Sequence, residues 1–313
     1  MRHLMIPLIF LFLASCGWHL PQGTTSGPVK KEDSFADPAK ISLLKLTNSL
    51  QYHQALEHLD PVDLASLSAA RTLFSNCASD SLTRDSMFVD FNGFLNNLAA
   101  SYFENNEMVA NQLANSPSSE TVNSLKASFA VNGLLLSSIT GSFSLEPQSG
   151  FLLQQFGHVL SGAYREFLSI RSREQESEID QGGKIQVSVD SLVTRILTLE
   201  NFIHRNPGFI SIRIARENYA HYLSLFLAGE DNSRAFDPDS HQLNDTLKIA
   251  FESFAEKNPE SKSAQVVKAY LQMLDLNDFK YSEKVDSFLL VKVYGENITD
   301  EQKDQSGHSH IHQ

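Results

Sequence analysis

Apolar residues return along most of this chain at intervals of three or four. Met87, Phe91, Phe94, Leu98 and Tyr102 make one such stripe, and Val122, Leu125 and Phe129 make another that runs on into Leu134, Leu135 and Leu136. That interval places side chains on one face of an amphipathic helix. Leu152, Phe156, Val159, Leu160, Ala163, Phe167 and Ile170 predict a further helix read as continuous. Four more follow. Val189, Leu192, Ile196, Leu199 and Ile203 line the first, and Ile212, Ala215, Tyr219, Tyr222 and Phe226 the second. Leu243, Leu247, Phe251 and Phe254 line the third, and Ala264, Val267, Leu271 and Leu274 the fourth. The segment holding Phe288-Leu289-Leu290-Val291 reads as helix or strand.

Two stretches alternate instead at period two: Ser142–Glu146 and Lys184–Val189. Pro147 and Gly150 break the first, and the two are expected to pair as a short β-ribbon around the helix between them. Arg171 to Gly183 is charged and closes on Gly-Gly, a solvated helix end or loop. Helix starts are marked by Asp37-Pro38, Asp60-Pro61 and Ser116-Pro117, each a capping side chain followed by proline at the first helical position. Gly229 is placed to stop the helix ending at Phe226.

One pattern is written twice. Leu199-Glu200-Asn201-Phe202-Ile203-His204-Arg205-Asn206-Pro207 leads on to Ser211, Ile214 and Arg216. Phe251-Glu252-Ser253-Phe254-Ala255-Glu256-Lys257-Asn258-Pro259 leads on to Ser263, Val266 and Lys268, roughly fifty residues later. Proline lacks an N–H and biases the residue before it away from helix, so each Asn-Pro ends one helix and opens the next. Phe202 and Phe254 sit on the last turn of the incoming helix, where they can fill the corner of a hairpin. Such corners resemble tetratricopeptide-type repeats, in which an aromatic precedes a proline and small residues follow. The repeat here is longer than the standard one of about 34 residues, and its Trp, Gly and Tyr positions are not matched. Two ordinary hairpins sharing a corner sequence would give the same pattern. The fold class read from all this is all-α: an array of antiparallel helical hairpins, repeat-like in the C-terminal half, with one short β-ribbon.

The N-terminus reads differently. Arg2 and His3 precede an apolar run, Leu4 to Ala14, too short for a permanent span. The run closes on Leu13-Ala14-Ser15-Cys16, which matches the bacterial lipobox. That resemblance implies that Cys16 becomes the lipid-modified first residue of the mature chain, and Gly17 after it resembles the outer-membrane sorting pattern. Cys16-Gly17-Trp18-His19-Leu20 resembles the mature start of the lipopolysaccharide-assembly lipoprotein family, over those five residues only. That family continues into a small mixed α/β domain, whereas here a polar stretch leads into helices. The expected organisation is therefore a signal peptide over 1–15, a flexible tether over 16–36 and an N-terminal helical region over 37–140. A helical-hairpin region over 141–295 and a disordered polar tail over 296–313 complete it.

A net charge of −12 in 313 residues argues against binding a phosphate backbone, so no nucleic-acid partner is expected. With Cys16 assigned to lipid, Cys77 has no disulfide partner within the chain and is expected to be a small buried hydrophobe. His53, Glu57 and His58 approach an inverted zinc-protease signature, but the histidines are spaced wrongly to share a helical face, which leaves a solvated helix surface. His158, Ser161, Arg165 and Ser169 lie opposite the apolar stripe of their helix, as a binding seam or as plain polar surface. Asp231, Asn232, Asp237 and Asp239 make an oxygen-rich loop, suited to weak calcium or to ordinary capping. His308, His310 and His312 alternate near the end. None of these is expected to be a metal, cofactor or catalytic site; Cys16, for lipidation, is the one site residue.

These readings predict a lipid-anchored protein of the bacterial envelope, at the outer membrane. It would act as a helical scaffold for another envelope protein or peptide. An enzyme or small-molecule carrier on the same anchor is the alternative.

Overall fold

The protein is described by a computed structural model covering residues 37–295, apart from 42, 78–79, 116–119, 140–141, 178 and 182. The lipobox with Cys16, the tether, the Ser116-Pro117 helix start and the histidines of the tail lie outside the described residues. Among the described residues the chain is mostly helix, with three two-stranded antiparallel pairs. It divides into two compact units, one ending at Ser161 and the other beginning at Gly162.

In the first unit, α1 (Pro38–Ile41) starts as the sequence indicates, with Asp37 Oδ1 accepting from Ala39 N at 3.0 Å. Helix α2 (Ser49–Glu57) follows. The expected start at Asp60-Pro61 is instead a turn, closed by Val62 N donating to Asp60 Oδ1. Asp63 is the N-cap of α3 (Leu64–Asn76), accepting from Ala65 N at 2.9 Å. The shift has a simple cause: both aspartates suit a cap, and the apolar face that reaches the core begins only after Asp63.

Helix α4 (Ser81–Asn105) is capped by Asp80 and carries the first stripe. Met87, Phe91, Leu98 and Tyr102 are buried, whereas Leu95 takes the core position expected of Phe94, which is half-buried. Helices α5 (Glu107–Asn115) and α6 (Glu120–Val131) complete the array. At its centre the Phe156 ring meets Phe74 at 4.8 Å, Phe91 at 4.9 Å and Phe88 at 5.3 Å. Edge-on and tilted aromatic pairs of this kind contribute about 0.5–1.5 kcal/mol each beyond their buried area. The Arg84 guanidinium lies 5.1 Å over the Phe74 ring and donates to the Phe74 and Cys77 carbonyls, satisfying the C-terminal end of α3.

Three expectations for this stretch are corrected. The apolar run Leu134–Leu136 does not prolong a helix. Gly133, at φ +77°, turns the chain, and β1 (Leu134–Ile139) pairs with β2 (Ser142–Pro147) from Leu134↔Pro147 to Ile139↔Ser142. The alternating stretch at 142–146 is thus a strand, but its partner is the segment just before it rather than 184–189. The helix read as continuous from Leu152 to Ile170 is also broken. Helix α7 (Ser149–Phe156) ends at Gly157, and Ser161 N donates to the buried Asp85 Oδ1 at 2.9 Å.

The second unit opens with α8 (Gly162–Gln175) and a minimal ribbon, β3 (Asp180–Gln181) with β4 (Lys184–Ile185). Only these two residues of the second alternating stretch are strand, because Ser188 caps α9 (Val189–Arg205) by accepting from Ser191 N. Helix α10 (Ile212–Ala228) returns against α9, and Gly229 ends it at φ +76°. Strands β5 (Gly229–Glu230) and β6 (Ser233–Arg234) lead to a second hairpin, α11 (Asp245–Lys257) with α12 (Lys262–Asp275). The end of the body is helix, α13 (Glu283–Phe288) running into a π-helical turn at Leu289–Val293.

The twin corners are alike in detail. Asn206 has φ −125° and ψ 55°, and Asn258 has φ −126° and ψ 52°. Each directs its own backbone N–H and its side-chain amide to the carbonyl of the phenylalanine four residues back, Phe202 or Phe254. Both rings are buried: Phe202 packs on Phe167 and Phe209, and Phe254 on Phe226. A third corner in the first unit is similar but lacks the proline, and its backbone N–H turns to the Phe103 carbonyl instead. Asn106, at φ −131° and ψ 55°, directs its side-chain amide to the carbonyl of Tyr102 at 2.8 Å.

Candidate functional site

The polar chemistry of the second unit gathers in three places. The first joins the two hairpins. The Glu200 carboxylate, on α9, reaches the first turn of α12 and accepts from Lys262 N at 2.7 Å, Ser261 Oγ at 2.8 Å and Ser263 N at 3.1 Å. The Ser263 hydroxyl adds a fourth bond. Unsatisfied N–H groups and the positive end of the helix dipole make a helix start favourable for a carboxylate. On its other side Ser263 Oγ meets the Tyr219 hydroxyl of α10 at 2.9 Å. A serine between a carboxylate and a phenol has the partners of an activated nucleophile. Ser263 is fully buried, however, and no substrate reaches it; the group ties three helices together.

Two arginines form the second place. Arg171, on α8, donates to Glu174 Oε2 at 2.7 Å and to the Tyr222 hydroxyl at 3.2 Å. Arg195, on α9, donates to the Ser177 carbonyl and hydroxyl, and its guanidinium lies 5.8 Å from the Tyr222 ring centre. Burial pushes the Tyr222 phenol up to about 12, although Arg171 pulls the other way. For Arg171, burial alone would lower the pKa; the pull of Tyr222 and Glu174 outweighs it and the net direction is upward. Glu174 Oε1 and Asn218 Nδ2 are buried without a hydrogen-bond partner among the described residues.

The third place is an open pocket of about 700 Å³ lined by Asp231, Asn232, Arg234, Phe236, Asp237 and their neighbours as far as Asp245. Three of the four residues of the oxygen-rich loop reach it; Asp239 does not line it. Asp237 Oδ1 is engaged, accepting from Ser240 N at 2.8 Å, Ser240 Oγ at 2.8 Å and Asp239 N at 3.1 Å. Those bonds, led by the Ser240 N–H, hold its carboxyl below the ordinary value. Among the described residues no three His, Cys, Asp or Glu side chains come together as a metal site.

The remaining candidates are dispersed. His53 Nδ1 pairs with Asp90 Oδ1 at 3.1 Å and its Nε2 lies 3.6 Å from Glu57, while His58 is exposed at the end of α2. His158 and Ser161 sit in the break after α7 and Arg165 and Ser169 on α8, so the four do not share one helix face. Cys77 is fully buried, just past the end of α3. Of the two basic residues that close the repeated pattern, Lys268 is exposed and Arg216 is half-buried.

Sequence reasoning missed Glu200, Glu174 and Arg195 as partners. A signal existed for the first, since a glutamate stands at the same distance before the Asn-Pro in both copies. Compared with protein-family models, curated proteins and solved structures, the chain matches none of them.

Proposed function

We propose that the protein is a lipid-anchored scaffold of the bacterial envelope, tethered through Cys16 and docking another envelope protein or peptide on its helical hairpins. The supporting observation is that the second unit leaves large apolar side chains on its surface beside the hairpin helices: Ile249 is 65 % exposed and Ile210, at the second-helix entry of the first hairpin, 52 %. Scattered apolar residues are common on protein surfaces, but those on the outside of stacked hairpins are placed where a partner helix packs. The anchor rests on Leu13-Ala14-Ser15-Cys16. Among the described residues no helix is long and apolar enough to cross a membrane; in this reading the acyl chains on Cys16 supply the attachment.

Cross-linking in intact cells, followed by identification of the joined peptides, tests the scaffold. Lys268→Glu, on the exposed face of α12, is expected to leave the fold intact and to remove a specific cross-linked partner. Cys16→Ala is expected to move the protein out of the detergent-rich phase; fractionation with lipid after that change removes the anchor from the reading. The open pocket at Asp231–Asp245 favours a second reading, a small-molecule carrier or enzyme. Turnover of a small molecule by the soluble form, with every partner retained in the face variants, replaces the scaffold by that reading.

A further inference from the structure

The two hairpins share one corner sequence, and the clasp between them is used once. Glu200 stands six residues before Asn206, and Glu252 stands six residues before Asn258. Glu200 is partly covered, because α12 packs against α9 and places its first turn on the carboxylate. Glu252 occupies the corresponding place on α11, is exposed, and has no hydrogen bond or ion pair to any described residue. The residue one turn before the glutamate is apolar in both copies: Leu197 in the first is half-covered, whereas Ile249 in the second is 65 % exposed. Lys248, the cation best placed to neutralise Glu252 from its own helix, lies 3.7 Å over the Phe279 ring instead. Glu256, one turn further on, is exposed as well.

Resting on the scaffold reading, we propose that the Ile249–Glu252 face of α11 is the docking seat for the N-terminus of a helix from a partner protein, a helix that opens on a Ser-Lys-Ser-like turn. The occupant follows from the internal example. In the chain's own clasp a glutamate carboxylate takes two backbone N–H groups and two hydroxyls from Ser261, Lys262 and Ser263. A helix start presents N–H groups and partial positive charge, and serines in that first turn add hydroxyl donors. The α11 face offers the complement: a free carboxylate, a second acid along the same helix and an apolar side chain to cover. An acidic or phosphorylated segment is disfavoured there, since like charges would meet without neutralisation.

The test uses the purified protein and a labelled, end-capped peptide with the chain's own clasp sequence, residues 259–276. Saturable binding is expected, weakened about tenfold or more, equivalent to about 1.4 kcal/mol, by Glu252→Gln or by replacing both peptide serines with alanine. Glu104→Gln, on α4, is expected to change nothing. A photo-reactive group in the peptide's first turn is expected to mark α11. Four results overturn the proposal: no saturable binding, equal affinity for Glu252→Gln, marking of α9 through exchange with the native α12, or binding that emerges only when residues 296–313 are removed. The last would make the chain's own end the occupant. In cells the two readings separate. If Glu252→Gln keeps every partner while Lys268→Glu loses one, the seat is wrong and the scaffold stands; if both keep every partner, the scaffold itself fails.

Discussion

The backbone N–H and the side-chain amide of Asn206 both donate to the carbonyl of Phe202, each at 3.0 Å. One carbonyl at the helix end is satisfied twice, and the phenylalanine that bears it is driven into the core. Asn258 repeats the arrangement on Phe254. Phe202→Ala and Phe254→Ala are each expected to destabilise the protein by about 3–5 kcal/mol, as for buried phenylalanines in general. Asn206→Ala, which removes only the side-chain bond, should cost about 1 kcal/mol. Chemical denaturation of the three variants checks the order; an Asn206→Ala loss as large as that of Phe202→Ala would show that the corner depends on the amide rather than on the ring.

The Glu200–Ser263 contact spans 63 residues of sequence and joins the two hairpins. Glu200→Ala should lower stability by about 1.5–3 kcal/mol, the range for hydrogen bonds to a charged group. A double-mutant cycle with Ser263→Ala should give a coupling of about 0.5–3 kcal/mol, because the two share one network. Additive losses would mean that each group acts alone.

Alkaline pH should unfold the second unit partly through Tyr222. Its phenol is raised from 10.0 to about 12 by burial, so ionisation is harder in the folded state than in the unfolded one. The stability this group contributes is fully present below the unfolded value and is lost as pH rises from 10.0 to about 12. Tyr222→Phe should therefore flatten the fall of stability over that window, while costing about 1 kcal/mol at neutral pH for the lost bond to Arg171. An unchanged slope in pH-dependent denaturation contradicts the assignment.

Cys77 is fully buried and its own carbonyl is engaged by Arg84. Thiol reagents should leave it unmodified in the native protein and react once denaturant opens the first unit. Rapid labelling without denaturant would place the thiol at the surface.

Gly229 ends α10 at φ +76°, and a Cβ there would collide with the Ser233 carbonyl. Gly229→Ala should destabilise by about 1–3 kcal/mol, the scale of local backbone strain. Thermal denaturation reads it directly; a neutral result would mean that the β5–β6 turn shifts without cost.

Helix, hairpin and corner were legible in the chain because their causes are local. The apolar interval of three or four residues, the proline that cannot continue a helix and the glycine that can leave it each act within a turn. That is why Asn206, Asn258 and Gly229 stand where the sequence places them. The Asn106 corner is not marked in the sequence because a similar corner forms there without a proline, and the amide that closes it is an ordinary residue in a polar stretch. Where the sequence misled, a distant group intervened. Leu134–Leu136 has no period to tell strand from helix, and only pairing with Ser142–Pro147 decided it. The helix after Phe156 was stopped by Asp85, which takes the Ser161 N–H from 76 residues away. Glu200 and Glu252 are alike in sequence, yet one is covered by a helix start and the other faces water. Local geometry sets which segments become helices; which carboxylate meets which helix end depends on how those helices pack, and packing is decided by the burial of faces that lie far apart along the chain.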